Sequence, residues 1–353
     1  MLLNILVLLI IGAVLISTVK NLFTHRDAND NSIGFLGKDS TVALRGFAII
    51  MIAFSHICQY EKLLKEILIG GGITYTVLFS CGAIGVSVFF LLSGYGCYLS
   101  IQKAEKIGKW LFKHINKMLI HFIVVFIPVA CIMAFVFRFD LEPVDYLINF
   151  VTLRLPGSTV WYFKIQILLY IILAISICIS KKSAWLIVAA LSLGYALIAD
   201  FAIGLSDYWW KTSLCFTAGC FVAKYKDNVE KILKGNIRNL TFSVVGCLAY
   251  CVILKDSHYN FILQISAYML LALSITMVWD WFVKGNIAFQ RIGKYSLDIY
   301  LVHIGLVEGI FLMNLKFNRK ITVFIIAVAI ITVLCHQISE YISKKVQNCL
   351  FMK

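Results

Sequence analysis

The feature that most limits what this chain can become is a succession of apolar runs, each close to a membrane's width, with the charged residues gathered between them. A helix needs about 20 apolar residues to cross roughly 30 Å of hydrocarbon, because each residue advances it by about 1.5 Å. Such runs lie at approximately 1–19, 41–60, 79–101, 118–137, 161–180, 184–201, 207–223, 240–254, 261–283, 296–315 and 321–341. Those near 207–223 and 240–254 are the shortest of the later ones.

Composition closes off the soluble alternative. Of 353 residues, 61% are apolar and only 14% are charged, whereas a soluble domain carries about 25% charged residues to wet its surface. Three prolines suit long uninterrupted helices, and the short alternating segments of a membrane barrel do not occur. The expected fold class is therefore all-α, a polytopic integral membrane protein of about 11 transmembrane helices. The organisation read from the sequence is an opening helix at 1–19, a linker at 20–40, a unit of about ten helices over 41–341 and a tail at 342–353.

The loop charges give the chain a direction. With 20–40 on the cytoplasmic side, the cytoplasmic segments hold 21 Lys and Arg and the opposite side holds 9. That bias follows the positive-inside rule and predicts a cytoplasmic C-terminus. The run Lys316–Lys320 goes against it. The net charge of +14 is explained by these loops, so no nucleic-acid partner is expected. The 11 cysteines are scattered, with no C-x-x-C pair, and read as small apolar packing residues. No metal site is expected.

Ionisable groups inside spans are costly, so each is a candidate for function. The helix over 41–60 has two. It opens on the N-cap cluster Asp39-Ser40-Thr41, continues through Leu44-Arg45-Gly46-Phe47-Ala48, and reaches Ser55-His56. Arg45 and His56 are 11 positions apart, within about 20° of three full turns, so they share a face and lie roughly 16 Å apart along the axis. Arg45 thus sits a turn inside the cytoplasmic end, and His56 in the outer half of the membrane. Either alone also reads as a snorkelling Arg or a packed His.

Three further stretches draw notice. The helix over 79–101 carries Gly82, Gly85, Ser93, Gly94 and Gly96, small residues that let backbones approach. After it comes a basic cytoplasmic stretch in which Lys109, Lys113 and Lys117 recur every four residues on one helical face, beside His114. Such a face can bind anionic lipid headgroups or a phosphate. Trp161-Tyr162-Phe163-Lys164 opens a helix at the outer interface, where aromatics are also ordinary belt residues. Finally, Tyr295 to His303 carries Ser296, Asp298, Tyr300 and His303, followed by Glu308. His303 falls near mid-membrane and is expected to hydrogen-bond another helix.

Taken in order, these segments resemble the membrane acyltransferase-3 family of bacterial and animal O-acyltransferases. Arg45-Gly46-Phe47-Ala48 with His56 fits the family's R-x10-H pattern. Gly85-Val86 through Phe89-Phe90-Leu91-Leu92-Ser93-Gly94-Tyr95, then Trp161-Tyr162, then Ser296-Leu297-Asp298-Ile299-Tyr300-Leu301-Val302-His303 follow in register. The similarity covers residues 39–310 and leaves the first helix outside.

The resemblance implies an O-acetyltransferase in a bacterial plasma membrane. It would move an acetyl group from cytoplasmic acetyl-CoA, a donor rather than a bound cofactor, to a sugar hydroxyl of an extracytoplasmic cell-envelope glycan. His56 would act as general base or acyl relay, since imidazole can do either near neutral pH. Arg45 would bind donor phosphate or meet developing negative charge, and Lys109, Lys113, His114 and Lys117 would hold the donor. Trp161, Tyr162, Tyr300 and His303 would line the substrate site. One departure stands out: many relatives carry R-x-x-R where this chain has His114-Ile115-Asn116-Lys117. Lysine binds phosphate as a point charge without arginine's bidentate fork. The competing reading is a glycan or lipid transporter or flippase, for which two related halves would be expected; no such similarity is visible. A non-catalytic scaffold of an envelope assembly complex is the third reading.

Overall fold

A computed structural model of the protein describes residues 4–10, 12, 14, 36–60, 68, 70–156, 158, 160–232, 236–255, 260–283 and 286–351. In chain order its helices are α1 (Lys38–Tyr60), α2 (Gly71–Gln102), α3 (Ile107–Phe135), α4 (Pro143–Val151), α5 (Trp161–Ile179), α6 (Ala184–Leu197), α7 (Leu214–Lys224), α8 (Lys226–Ile232), α9 (Asn236–Leu254), α10 (Phe261–Val283), α11 (Ile287–Lys294), α12 (Ser296–Leu312) and α13 (Phe317–Phe351). Among the described residues there is no strand, only an isolated bridge between Leu155 and Ser158.

Seven of these helices are long and apolar enough to cross a membrane: α1, α2, α3, α5, α6 with its π-helical end at Ile198–Ala202, α10 and α13. An eighth span results if α11 and α12, which meet at a 69° bend, are taken together. The larger number expected from the sequence is thus not confirmed. The opening run at 1–19 lies mostly outside the described residues, with 4–10 helical. The run at 207–223 is not one helix, because a 3-10 turn at Asp207–Trp209 precedes α7, which has only 11 residues. Eleven residues advance a helix by about 16 Å, half the hydrocarbon thickness.

Several helices outrun their apolar cores. The basic stretch after α2 is largely helical, forming the first turns of α3, and α13 continues through most of the expected tail. A 35-residue helix is about 52 Å long, so α13 reaches well past the apolar layer.

Close backbone contacts hold the centre together. A side chain at Gly94 would strike the backbone of Phe216 in α7, and one at Gly219 in α7 would strike the backbone of Leu91. The pair is reciprocal, so α2 and α7 cross where neither has a Cβ. α1 docks on α11 in the same way: a side chain at Gly46 would meet Phe289, and one at Gly293 would meet Val42. Gly82 and Gly85 face Ser55 and Ala48 of α1, and the Ser55 hydroxyl donates to the Phe79 carbonyl at 2.6 Å. Gly82, Gly85 and Gly94 of α2 therefore work as packing surfaces, whereas Gly96 has open space beside it and lines a cavity. Gly82 and Gly85 fix α1, the carrier of Arg45 and His56, against α2, and Gly46 and Gly293 fix it against α11.

Candidate functional site: two cavities that meet at Tyr300

α1 presents Arg45 and His56 to two different cavities. Arg45 lines one of about 490 Å³ together with Ser93, Lys113, His114, Lys117, Tyr162 and Gln166. His56 lines the other, of about 680 Å³, with Ser55, Gln59, Trp161, Asp207 and Lys211. Tyr300 of α12 lines both. The spacing of Arg45 and His56 on α1 thus becomes a spacing between two chambers, with the Tyr300 ring in the wall between them.

At the far end of α1, the His56 ring packs against His303 with centroids 5.3 Å apart. His56 Nδ1 lies 3.1 Å from the Gln59 side-chain oxygen. An amide oxygen only accepts, so Nδ1 carries the proton in this arrangement and Nε2 is left with a lone pair. His303 is fully buried. Its Nδ1–H donates to the Ile299 carbonyl of its own helix at 2.8 Å, and its Nε2 has no hydrogen-bond partner among the described residues. The expected bond from His303 to another helix is therefore replaced by a bond within α12 and a ring contact with His56. His303 lines neither cavity, because the ring is enclosed behind Tyr300, 5.8 Å away.

Trp161 and Tyr162, adjacent in sequence, face different chambers. Successive helical residues point about 100° apart. Trp161 lines the His56 cavity, where its ring packs 5.7 Å from Tyr208. Tyr162 lines the Arg45 cavity, with its ring 4.9 Å from Phe90 and 5.1 Å from Tyr300. The expectation of an interfacial belt fails here, since Tyr162 and Phe163 are both buried. The chain before α5 folds inward instead, with Leu155 and Val160 buried. Val160, the residue that starts α5, has φ +43°, a left-handed conformation a β-branched residue rarely adopts. That strained corner aims Trp161 at the His56 cavity.

Of the basic stripe on α3, Lys113, His114 and Lys117 reach the Arg45 cavity and Lys109 does not. The His114 ring stacks 4.1 Å from Trp110, and its Nδ1–H donates to the Trp110 carbonyl at 2.8 Å. Lys117 is drawn to Glu340 of α13 at 2.6 Å. Among the described residues no carboxylate lies within ion-pair distance of Arg45, which leaves its charge facing the cavity.

A family model described as an acyltransferase domain, that of the acyltransferase-3 family, matches residues 42–338. The chain belongs to that family. With its apolar helices, membership makes it a membrane acyltransferase by kind. No curated protein and no solved structure matches the chain. The matched region covers the lining of both cavities except Glu340, since it runs from the residue where α1 meets α11 to the middle of α13.

This acyltransferase-3 chain also holds a group that sequence reasoning passed over. In the wall of the Arg45 cavity, Asp298 of α12 accepts from His121 Nδ1 of α3 at 2.6 Å and from His336 Nδ1 of α13 at 2.7 Å. Asp298 and His121 are buried, while His336 keeps 21% of its side-chain exposure. All three lie inside apolar helices, so the rule that singled out Arg45 and His56 would have found them too. Their mutual contact joins positions 177 and 38 residues apart, which no local spacing reveals.

Proposed function

We propose that this acyltransferase carries an acetyl group across the wall at Tyr300, from a donor in the Arg45 cavity to a hydroxyl in the His56 cavity. One observation carries the reading: two chambers, one bearing lysines and an arginine with no carboxylate partner among the described residues, the other a histidine and aromatic rings, share a single tyrosine. Acetyl-CoA suits the first, because its phosphates need cations, and Arg45, Lys113, His114 and Lys117 stand there. A sugar suits the second. Trp161 offers an apolar ring face, while Gln59, Asp207 and Gln264 offer hydrogen-bond partners.

The chemistry follows from the ring nitrogens. The acceptor hydroxyl must lose a proton as its oxygen attacks the thioester carbonyl, and His56 Nε2 has the lone pair to take it. The alternative use of the same atom is to accept the acetyl group itself and pass it on. His303, held by Ile299, braces the His56 ring. The positive loops at the Arg45 end support a cytoplasmic position for that cavity, and the resemblance to bacterial envelope acyltransferases supports a plasma membrane as the setting. The acceptor then belongs to the cell envelope, as a glycan.

The test uses membranes containing the protein, given acetyl-CoA labelled in the acetyl group. Label is expected in the glycan fraction with wild-type membranes and is expected to vanish with His56→Ala. Full transfer by His56→Ala would remove the mechanism. Movement of intact glycan without any acyl donor would favour a transporter instead.

A further inference from the structure

Among the described residues, three groups of ionisable side chains beside the two cavities are answered in different ways. The His56–His303 pair has no carboxylate beside it, and the Asp207–Lys211 pair, 2.7 Å apart, closes on itself. His121, Asp298 and His336 alone join two imidazoles through one carboxylate.

The separations say what kind of cluster this is. Two ligands of one tetrahedral ion, each about 2.0–2.1 Å from it, lie roughly 3.3 Å apart. The contacts of 2.6 and 2.7 Å are shorter and have the length of charge-assisted hydrogen bonds, about 2.7–2.9 Å for N–H to a carboxylate. A carboxylate only accepts, so both Nδ1 atoms carry protons. Buried, the single negative charge of Asp298 is balanced when one of the two rings is an imidazolium. Two imidazoles on one carboxylate are in this way built to share a proton.

The surroundings decide where that proton can go. His121 Nε2 is buried without a hydrogen-bond partner among the described residues and faces Glu340 at 3.7 Å, whose charge Lys117 already meets. The Tyr295 ring packs 4.6 Å from His336. His336 is the partly exposed member on the cavity wall, and with Nδ1 committed to Asp298 its Nε2 is the nitrogen left for the cavity. Asp298 and Tyr300, two residues apart and about 200° round α12, both line the Arg45 cavity, as does His336. The proton store thus opens on the chamber whose wall the acetyl group would cross.

We propose that His336, oriented by Asp298 and His121, gives its Nε2 proton to the thiolate that leaves the acyl donor. The proposal rests on the acyl-transfer reading given above. As the acceptor oxygen bonds to the acetyl carbon, the C–S bond breaks and its electron pair goes to sulfur. The hydroxyl proton goes to His56 Nε2, and the His336 Nε2 proton goes to sulfur, giving the free thiol. Water at the mouth of the Arg45 cavity restores the proton to His336, and His56 releases its own to the other chamber. His336 would be a catalytic residue and Asp298 and His121 positioning residues.

The test changes the basicity of the leaving atom while keeping its shape. Acetyl-CoA and its selenoester analogue differ in one atom, and a selenolate is a far weaker base that leaves without a proton. With acetyl-CoA, His336→Gln is expected to lower the rate about 100-fold or more, within the usual range for a lost general acid. With the selenoester the same variant should lose less than about tenfold, and Asp298→Asn should show the same contrast to a smaller degree. A variant that merely folds poorly would lose equal activity with both donors. Equal losses in His336→Gln, with wild type active on both, overturn the proton role and leave acyl transfer standing. A wild type that transfers acetyl from neither donor defeats the underlying reading and this one with it.

Discussion

The Arg45 cavity and the His56 cavity share walls from α1, α2, α5 and α12 yet are built of opposite materials. The first gathers Arg45, Lys113, Lys117 and the Asp298-centred histidines, charges that in a membrane interior need a strong reason to exist. The second presents Trp161, Tyr208, Tyr268, Gln59 and Gln264, with one ion pair, Asp207–Lys211, in its wall. Lys211 also lies over the Tyr268 ring at 5.3 Å, so even this charge is partly spent on its surroundings. One chamber is suited to a polyanion and the other to a neutral polyhydroxyl compound. The difference teaches that the two ends of α1 face distinct chemistry, because, among the described residues, Tyr300 is the one lining residue the two chambers share.

Each prediction asks whether that contrast is real. The largest effect is expected where α1 docks, since it serves both chambers. Gly46→Val would drive a side chain into the backbone of Phe289, and the yield of monodisperse protein in detergent should collapse; a normal yield would show that the α1–α11 contact does not hold the chambers in place. Next comes His56→Ala, expected to lower acetyl transfer by about 100- to 10,000-fold while the variant purifies normally, with label incorporation as the measure. Arg45→Ala should raise the KM for acetyl-CoA by roughly 10- to 150-fold, the worth of a charged hydrogen bond, and leave kcat nearly intact. An effect on the acceptor's KM instead would erase the distinction between the chambers. The smallest change is expected from Asp207→Asn, a few-fold rise in the acceptor's KM with the donor's unchanged, because that carboxylate is already paired with Lys211 at 2.7 Å.

How much of this was readable beforehand depends on distance along the chain. Arg45 and His56 sit on one helix, so a count of 11 positions was enough to align them, and the structure gives each a chamber. The apolar runs predicted most helices because hydrocarbon thickness sets a length. They misjudged 207–223, where Asp207 and Lys211 interrupt the apolar pattern and serve the cavity wall. Trp161 and Tyr162 looked like a single interfacial pair, since the inward fold of residues before α5 leaves no periodic trace. The contact that makes the Asp298 cluster was missed for another reason. His121 and His336 each look like a packed histidine alone, and only the assembly of α3, α12 and α13 makes them a unit. The lysine stripe lies on one helix, α3, but its register relative to α13 determined that Lys117 meets Glu340 and that Lys109 stays off the cavity.

The central claim is that donor and acceptor enter from opposite ends of α1. It is tested most directly with sealed vesicles of opposite orientation, given labelled acetyl-CoA that cannot cross the bilayer. Inside-out vesicles, with the Arg45 end facing the added donor, should place label on hydroxyl acceptors enclosed in the lumen, and right-side-out vesicles should place none until they are made leaky. Equal labelling by both orientations, or labelling only of acceptors on the donor's own side, would contradict the account.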